Sequence, residues 1–166
     1  LLHRRVCPFV AAGARSVGVR HFKLTGGEPT VRHDLVSIVE GLAAMGPGDL
    51  SLTTNGMMLD RLAAPLARAG MQRLTISWDT MMPQRFDVIA RGGARAMGGL
   101  SRLRAGIDAA LAAGFEHLKF NVVVIGGVND DEVTDFARLT IDNPWTVRFI
   151  EYMPLGDSTL TDDAER

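Results

Sequence analysis

The sequence predicts an α/β fold in which a parallel sheet curls as an incomplete barrel. Three observations carry that expectation. Strand-like runs alternate with helical patterns about every 25 to 40 residues, the rhythm of βαβ units. Every connection is long enough for a right-handed crossover between parallel strands. A polar signature follows each of five expected strands, which suits loops converging on one mouth rather than the single switch point of a flat doubly wound sheet.

The elements follow in order. Residues 6–14 read as a helix, with Pro8 tolerable only in its first turn. A strand is expected over 19–24. Asp34 is placed as the cap of a helix whose apolar stripe is Leu35, Ile38, Val39 and Leu42, stopped by Gly46-Pro47-Gly48. A second strand over 50–53 leads through a Thr-Asn-Gly turn to a helix over 59–69, ended by Gly70. A third strand spans 73–77. Helical patterns over 84–90 and 100–113 flank a looser stretch, and a fourth strand is expected over 117–125. Asn129-Asp130-Asp131-Glu132 reads as the cap of the next helix, its acids facing the positive end of the helix dipole. A fifth strand covers 146–151. Residues 1–156 therefore form one partial barrel domain, and 157–166 a polar tail.

Composition narrows the function classes. The chain has 166 residues, short of the roughly 250 of a closed eight-stranded barrel. Hydrophobic residues make up 46% and charged ones 22%, a balance that excludes disorder. The net charge of −1 with interspersed signs provides no field for nucleic acid. Arg91, Arg95, Arg102 and Arg104 lack the interleaved aromatics of a nucleic-acid platform. Cys7 is the only cysteine, which excludes an internal disulfide and any iron–sulfur or Cys₄ site built from this chain alone. A reducing, cytoplasmic setting fits. The apolar stretch near the start is short and broken by Pro8, so neither a secretion signal nor a membrane span is expected. His3, His21, His33 and His117 show no zinc-ligand spacing. The glycine-lysine phosphate loop, the dinucleotide fingerprint and the nucleophile elbow are all missing from the sequence, so any nucleotide is held another way.

The candidate site residues lie at strand ends. In Thr25-Gly26-Gly27-Glu28-Pro29 paired glycines permit close backbone approach and Glu28 adds a carboxylate, a turn suited to a ligand amino group. The same string also serves as a plain strand exit. Lys23 and Lys119 sit inside strands, where alternation points each either into the barrel mouth or toward the helices. Two inward lysines would suit a polyphosphate. Thr53 and Ser77 offer hydroxyls at strand ends, Asp79 reads as a cap or positioning group, and Met153 lies near the mouth after the fifth strand.

Taken together, Lys23 to Pro29, Leu52-Thr53-Thr54-Asn55-Gly56, Ser77-Trp78-Asp79, Lys119-Phe120-Asn121 and Arg148 to Gly156 resemble the GTP 3′,8-cyclase family of molybdenum cofactor biosynthesis, radical S-adenosylmethionine enzymes. The loop Gly126 to Glu132 is similar as well. The resemblance implies a partial barrel in which a [4Fe-4S] cluster reduces S-adenosylmethionine to a 5′-deoxyadenosyl radical. That radical takes hydrogen from the ribose of GTP, and C3′ bonds to C8 of guanine. It further implies that Gly26, Gly27, Glu28, Ser77 and Met153 hold S-adenosylmethionine, and that Lys23, Thr53 and Lys119 contact GTP. The product would pass to cyclic pyranopterin monophosphate synthase. Lys23 stands where the family usually has Arg, and Trp78 where it usually has Leu. By the same resemblance the family's first strand and three-cysteine cluster loop belong before Leu1, and its C-terminal region beyond Arg166. The isolated chain is then expected to be inactive. A non-catalytic S-adenosylmethionine or nucleotide-binding module, and a different radical enzyme on the same barrel, stay open as alternatives.

Overall fold

The computed structural model describes residues 6–90 and 98–153. The elements run α1 (Val6–Ser16), β1 (His21–Leu24), α2 (Leu35–Ala43), β2 (Asp49–Thr54), α3 (Leu59–Arg68), β3 (Arg73–Ser77), α4 (Pro83–Ile89), α5 (Gly99–Ala112), β4 (Lys119–Val124), α6 (Val133–Asp142) and β5 (Thr146–Glu151). All five strands are parallel and lie in sequential order, β1-β2-β3-β4-β5. Sequential order has a consequence for the layers. Right-handed crossovers that always step the same way put every helix on the same side, which is the barrel arrangement and not the doubly wound one.

Side-chain alternation then divides the sheet. Leu50, Leu52, Leu74, Ile76, Phe120 and Val122 face the helices and join one core with Ala11, Leu35, Val39, Leu66, Leu103, Ile107 and Phe136. Leu50, Leu52, Leu74 and Ile76 are at most 1% exposed, and each such burial stabilises by about 1.5–3 kcal/mol. Trp78 completes this layer with edge-on contacts to Phe120 and Phe136, 5.4 Å between centroids in each case. Its indole N–H donates to the Thr80 carbonyl at 2.8 Å, so the wide ring is accommodated without an orphaned donor.

The loop after β2 is pinned to α5 by two glycines. Gly56 has φ +78°, and a Cβ there would meet Leu103 Cδ1 at 2.5 Å. A Cβ on Gly106 of α5 would overlap the Gly56 carbonyl oxygen. Only hydrogen fits at this crossing, which sets the height of the β2 loop over the sheet.

Several expectations are corrected. The first strand is shorter, His21–Leu24, and the Arg20 carbonyl just before it accepts from the amides of Gly48 and Asp49 at 2.8 and 3.2 Å. Asp34 makes no side-chain cap on α2 and instead takes a bidentate ion pair from Arg32. Asn129 to Glu132 do not cap α6 through their side chains either. Asn129 and Glu132 are each 2% exposed, and burial commits them to other partners. Residues 91–97, including the Arg91–Arg95 segment, and residues 154–166, including the expected tail, lie outside the described residues.

Candidate functional site

The sheet face opposite the helices is polar, and the pairing register sorts it into rows. Lys23 of β1 aligns with Ser51, and Ser51 with Arg73. Thr53 aligns with Thr75, and Thr75 with Lys119. Ser77 aligns with Asn121, and Asn121 with Arg148. Two neighbouring regions emerge from these rows.

The first is a cradle at the ends of β1, β2 and β3. Gly26, Gly27, Glu28, Thr53, Asn55 and Ser77 help to enclose a cavity of about 340 Å³. Gly26 has φ +138°, and a Cβ placed on Gly26 or Gly27 would meet nothing within 4 Å. The space over the turn is therefore where any side chain would stand. Glu28 does not point its carboxylate into that space. One oxygen accepts from the Thr30 amide at 3.0 Å and from the hydroxyls of Thr30 and Thr54 at 2.6 Å, and the other from the Asn55 amide at 2.7 Å. This carboxylate staples the glycine turn to the end of β2. What the turn offers a ligand is consequently its backbone. Two side-chain atoms at this face are buried with no hydrogen-bond partner, Thr53 Oγ1 and Asn121 Oδ1. Orphaned buried polar atoms cost free energy unless a ligand or water meets them.

The second region is a cationic floor. Lys23, Arg73, His117 and Lys119 line a cavity of about 210 Å³ near the start of the strands. Burial, and then the nearby charges of Arg148, Arg73 and Lys23, hold the Lys119 ammonium below the usual lysine range. Asp49 is paired bidentately with Arg73, which keeps its carboxyl below the usual range. Lys23, Arg73, Lys119 and Arg148 thus share a face, and the Asp49 carboxylate beside them is already spent on Arg73.

Of the sequence candidates, Gly26, Gly27, Glu28, Thr53 and Ser77 come together in the cradle, and Lys23 and Lys119 in the floor. Both lysines face away from the helices. Thr53 belongs to the cradle cavity while its register partner Thr75 leads to Lys119, so it joins the two regions. Met153 stands apart, beyond β5 and 68% exposed, and lines neither cavity. Asp79 has the positioning role: its Oδ1 accepts from the Val123 amide at 2.8 Å, and burial raises its pKa against the lowering effect of that bond. Arg73, Asn121 and Arg148 were not among the candidates. Their signal was alternation, since each falls on the same face as Lys23 or Ser77 once the strands are in register.

Known proteins resemble this chain over most of its length. The chain is 48% identical to the GTP 3′,8-cyclase of Heliobacterium modesticaldum over 161 residues, covering 93% of this chain and 48% of that protein. It is 51% identical to the GTP 3′,8-cyclase of Geobacter sulfurreducens over 146 residues, covering 87% and 43%. A third GTP 3′,8-cyclase, from Pseudomonas syringae pv. syringae, is 51% identical over 142 residues, covering 85% and 41%. The chain thus spans less than half the length of these curated relatives. Residues 10–140 match the model of the radical SAM superfamily, and with five sequential parallel strands carrying a double-glycine turn at the first strand end, the chain belongs to that superfamily.

Proposed function

We propose that this chain is the central barrel portion of a GTP 3′,8-cyclase, with S-adenosylmethionine in the cradle and the triphosphate of GTP on the cationic floor. One observation carries the reading: a backbone-lined cradle with an orphaned hydroxyl and a four-cation floor lie side by side on one sheet face. The cofactor is a zwitterion with a ribose. Backbone carbonyls freed at Gly26 and Gly27 suit its ammonium, with Glu28 holding the turn that presents them. Ser77, with the unpartnered Asn121 Oδ1 in the next strand, suits ribose hydroxyls. Met153, which follows β5, is proposed as a further contact of the same ligand on the family resemblance alone.

Thr53 and Lys119, adjoined through Thr75, suit the substrate. Lys23, Arg73 and Arg148 add charge against a triphosphate, with lysines acting as point charges and arginines as forks. When bound, the cofactor supplies radical chemistry by reductive cleavage of its sulfonium. The chain has one cysteine, and among the described residues no group of His, Cys, Asp and Glu could hold a metal. These residues therefore do not fit an iron–sulfur cluster, and their part is to bind and orient. No described helix is long and apolar enough to cross a membrane. A place in molybdenum cofactor biosynthesis, ahead of cyclic pyranopterin monophosphate synthase in the cytoplasm, completes the proposal.

Calorimetric titration tests it. Each ligand should bind the 166-residue chain alone, and GTP should still bind the chain saturated with S-adenosylmethionine. Mutual exclusion, or no binding of either, would refute adjacent sites.

A further inference from the structure

The β3–β4 ladder stops early, and what replaces it is unusual. The last paired residues are Ser77 and Asn121, followed by the Trp78 amide donating to the Asn121 carbonyl at 2.9 Å. Beyond that rung the strands part. The next backbone groups, the Val123 N–H and the carbonyls of Asp79 and Val123, would lose their partners there. Side chains take them up instead. Asp79 Oδ1 accepts from the Val123 amide, and Asn129 Nδ2 donates to the Asp79 carbonyl at 2.6 Å and to the Val123 carbonyl at 2.8 Å. Asn129 Oδ1 also accepts from the Ile125 amide at 2.7 Å. Three residues further on, Glu132 accepts from the Thr80 hydroxyl, the Met81 amide and Arg85, at 2.7 to 2.8 Å.

We infer that Asn129 is a positioning residue: together with Asp79 it wedges β3 and β4 apart at the mouth and thereby presents Ser77 and Asn121 to the cofactor. The inference rests on the cradle being the cofactor's site. Its physical basis is accounting of backbone groups. A splayed strand end exposes polar groups that would otherwise pull the strands back into register or admit water. One buried amide side chain, itself 2% exposed, bridges both carbonyls across the gap. Glu132 fixes the loop after β3 from the other side, so the wedge cannot relax by moving that loop.

The test uses the 166-residue chain with two variants and two probes. Asn129→Ala removes the wedge. Asn129→Asp keeps its volume and the acceptor for Ile125 but loses both donors, one of which returns when the introduced carboxyl is protonated. In hydrogen exchange without ligand, the Val123 and Ile125 amides should lose protection in Asn129→Ala, while the Phe120 and Val122 amides keep theirs. By calorimetry, S-adenosylmethionine affinity should fall about tenfold or more in both variants, with tripolyphosphate affinity changed less than about twofold. Affinity for S-adenosylmethionine in Asn129→Asp should recover in part as the pH falls. A merely structural residue would not give that rescue. Unchanged exchange at Val123 and Ile125, or equal losses for both ligands, would overturn the wedge. The expected exchange changes in Asn129→Ala together with a parent chain that does not bind S-adenosylmethionine would overturn the cradle assignment and, with it, the positioning role toward that ligand.

Discussion

The cradle and the cationic floor share one sheet face, yet their charges are used in opposite ways. In the cradle the carboxylate of Glu28 is consumed by four hydrogen bonds within the protein, leaving backbone and the orphaned Thr53 hydroxyl at the cavity. On the floor the charges of Arg148, Arg73 and Lys23 act against the Lys119 ammonium, while Arg73 is paired bidentately with Asp49. The contrast teaches what each region awaits. A zwitterion needs shape and directed dipoles, which a stapled turn provides without net charge. A polyanion relieves the repulsion felt by Lys119, so a cluster only partly neutralised by Asp49 suits it.

The largest break of this contrast is expected at the staple. Glu28→Ala strips the partners from the buried hydroxyls of Thr30 and Thr54, 3% and 2% exposed, and from two amides. Leaving such groups unsatisfied should cost on the order of 3 kcal/mol, read as a lower urea midpoint. The glycine turn should also detach from β2, with S-adenosylmethionine binding lost about a hundredfold. If stability falls while that affinity stays, the turn is not held by Glu28 for a ligand.

A smaller and oppositely directed effect is expected on the floor. Lys119→Ala should weaken GTP about tenfold to a hundredfold, the scale of a charge-assisted bond, and leave S-adenosylmethionine nearly unaffected. Because removing one of several repelling cations relaxes the rest, the variant should be no less stable thermally. Equal losses on both ligands in calorimetry would erase the division between the two regions.

The parts of this molecule that were legible in the sequence are those governed by periodicity. Leu35, Ile38, Val39 and Leu42 marked α2 and are buried as their period required; the second strand, expected over 50–53, runs Asp49–Thr54. Glu28, Asn129 and Glu132 were harder to read because their partners are distant in sequence. Thr54 lies 26 residues from Glu28 and Thr80 lies 52 from Glu132. Local pattern offered cap chemistry for Asn129 and Glu132 and a ligand-facing carboxylate for Glu28. Arg73 and Arg148 were hidden for a related reason, since their significance depends on register across four strands.

Salt should separate the regions further. Raising ionic strength from about 0.05 to about 0.2 M shortens the screening length to below the spacing of surface charges, so GTP affinity should drop several-fold. S-adenosylmethionine affinity should hold nearly constant, because dipoles at short range in the cradle are screened far less. Parallel slopes for the two ligands in a salt series would mean that one electrostatic site serves both.

The smallest expected effect is in pH, and its sign follows from Lys119. Burial and the cations Arg148, Arg73 and Lys23 lower its pKa, so the ammonium is disfavoured in the folded chain. Its cost to stability is full while the group is protonated in both folded and unfolded states. That cost is relieved as the pH rises through the folded pKa. Anion binding runs the other way. A polyphosphate favours the ammonium, so affinity should decline as the pH rises through that lowered pKa, earlier than an ordinary lysine would dictate, and binding in this window should take up a proton. Lys119→Arg supplies the control, because a guanidinium stays charged throughout. Tripolyphosphate affinity measured against pH should therefore flatten in Lys119→Arg, and proton uptake, read by calorimetry in two buffers of different ionisation enthalpy, should diminish. Identical pH profiles for parent and variant would remove Lys119 from the floor's electrostatics and leave Lys23, Arg73 and Arg148 to hold the anion.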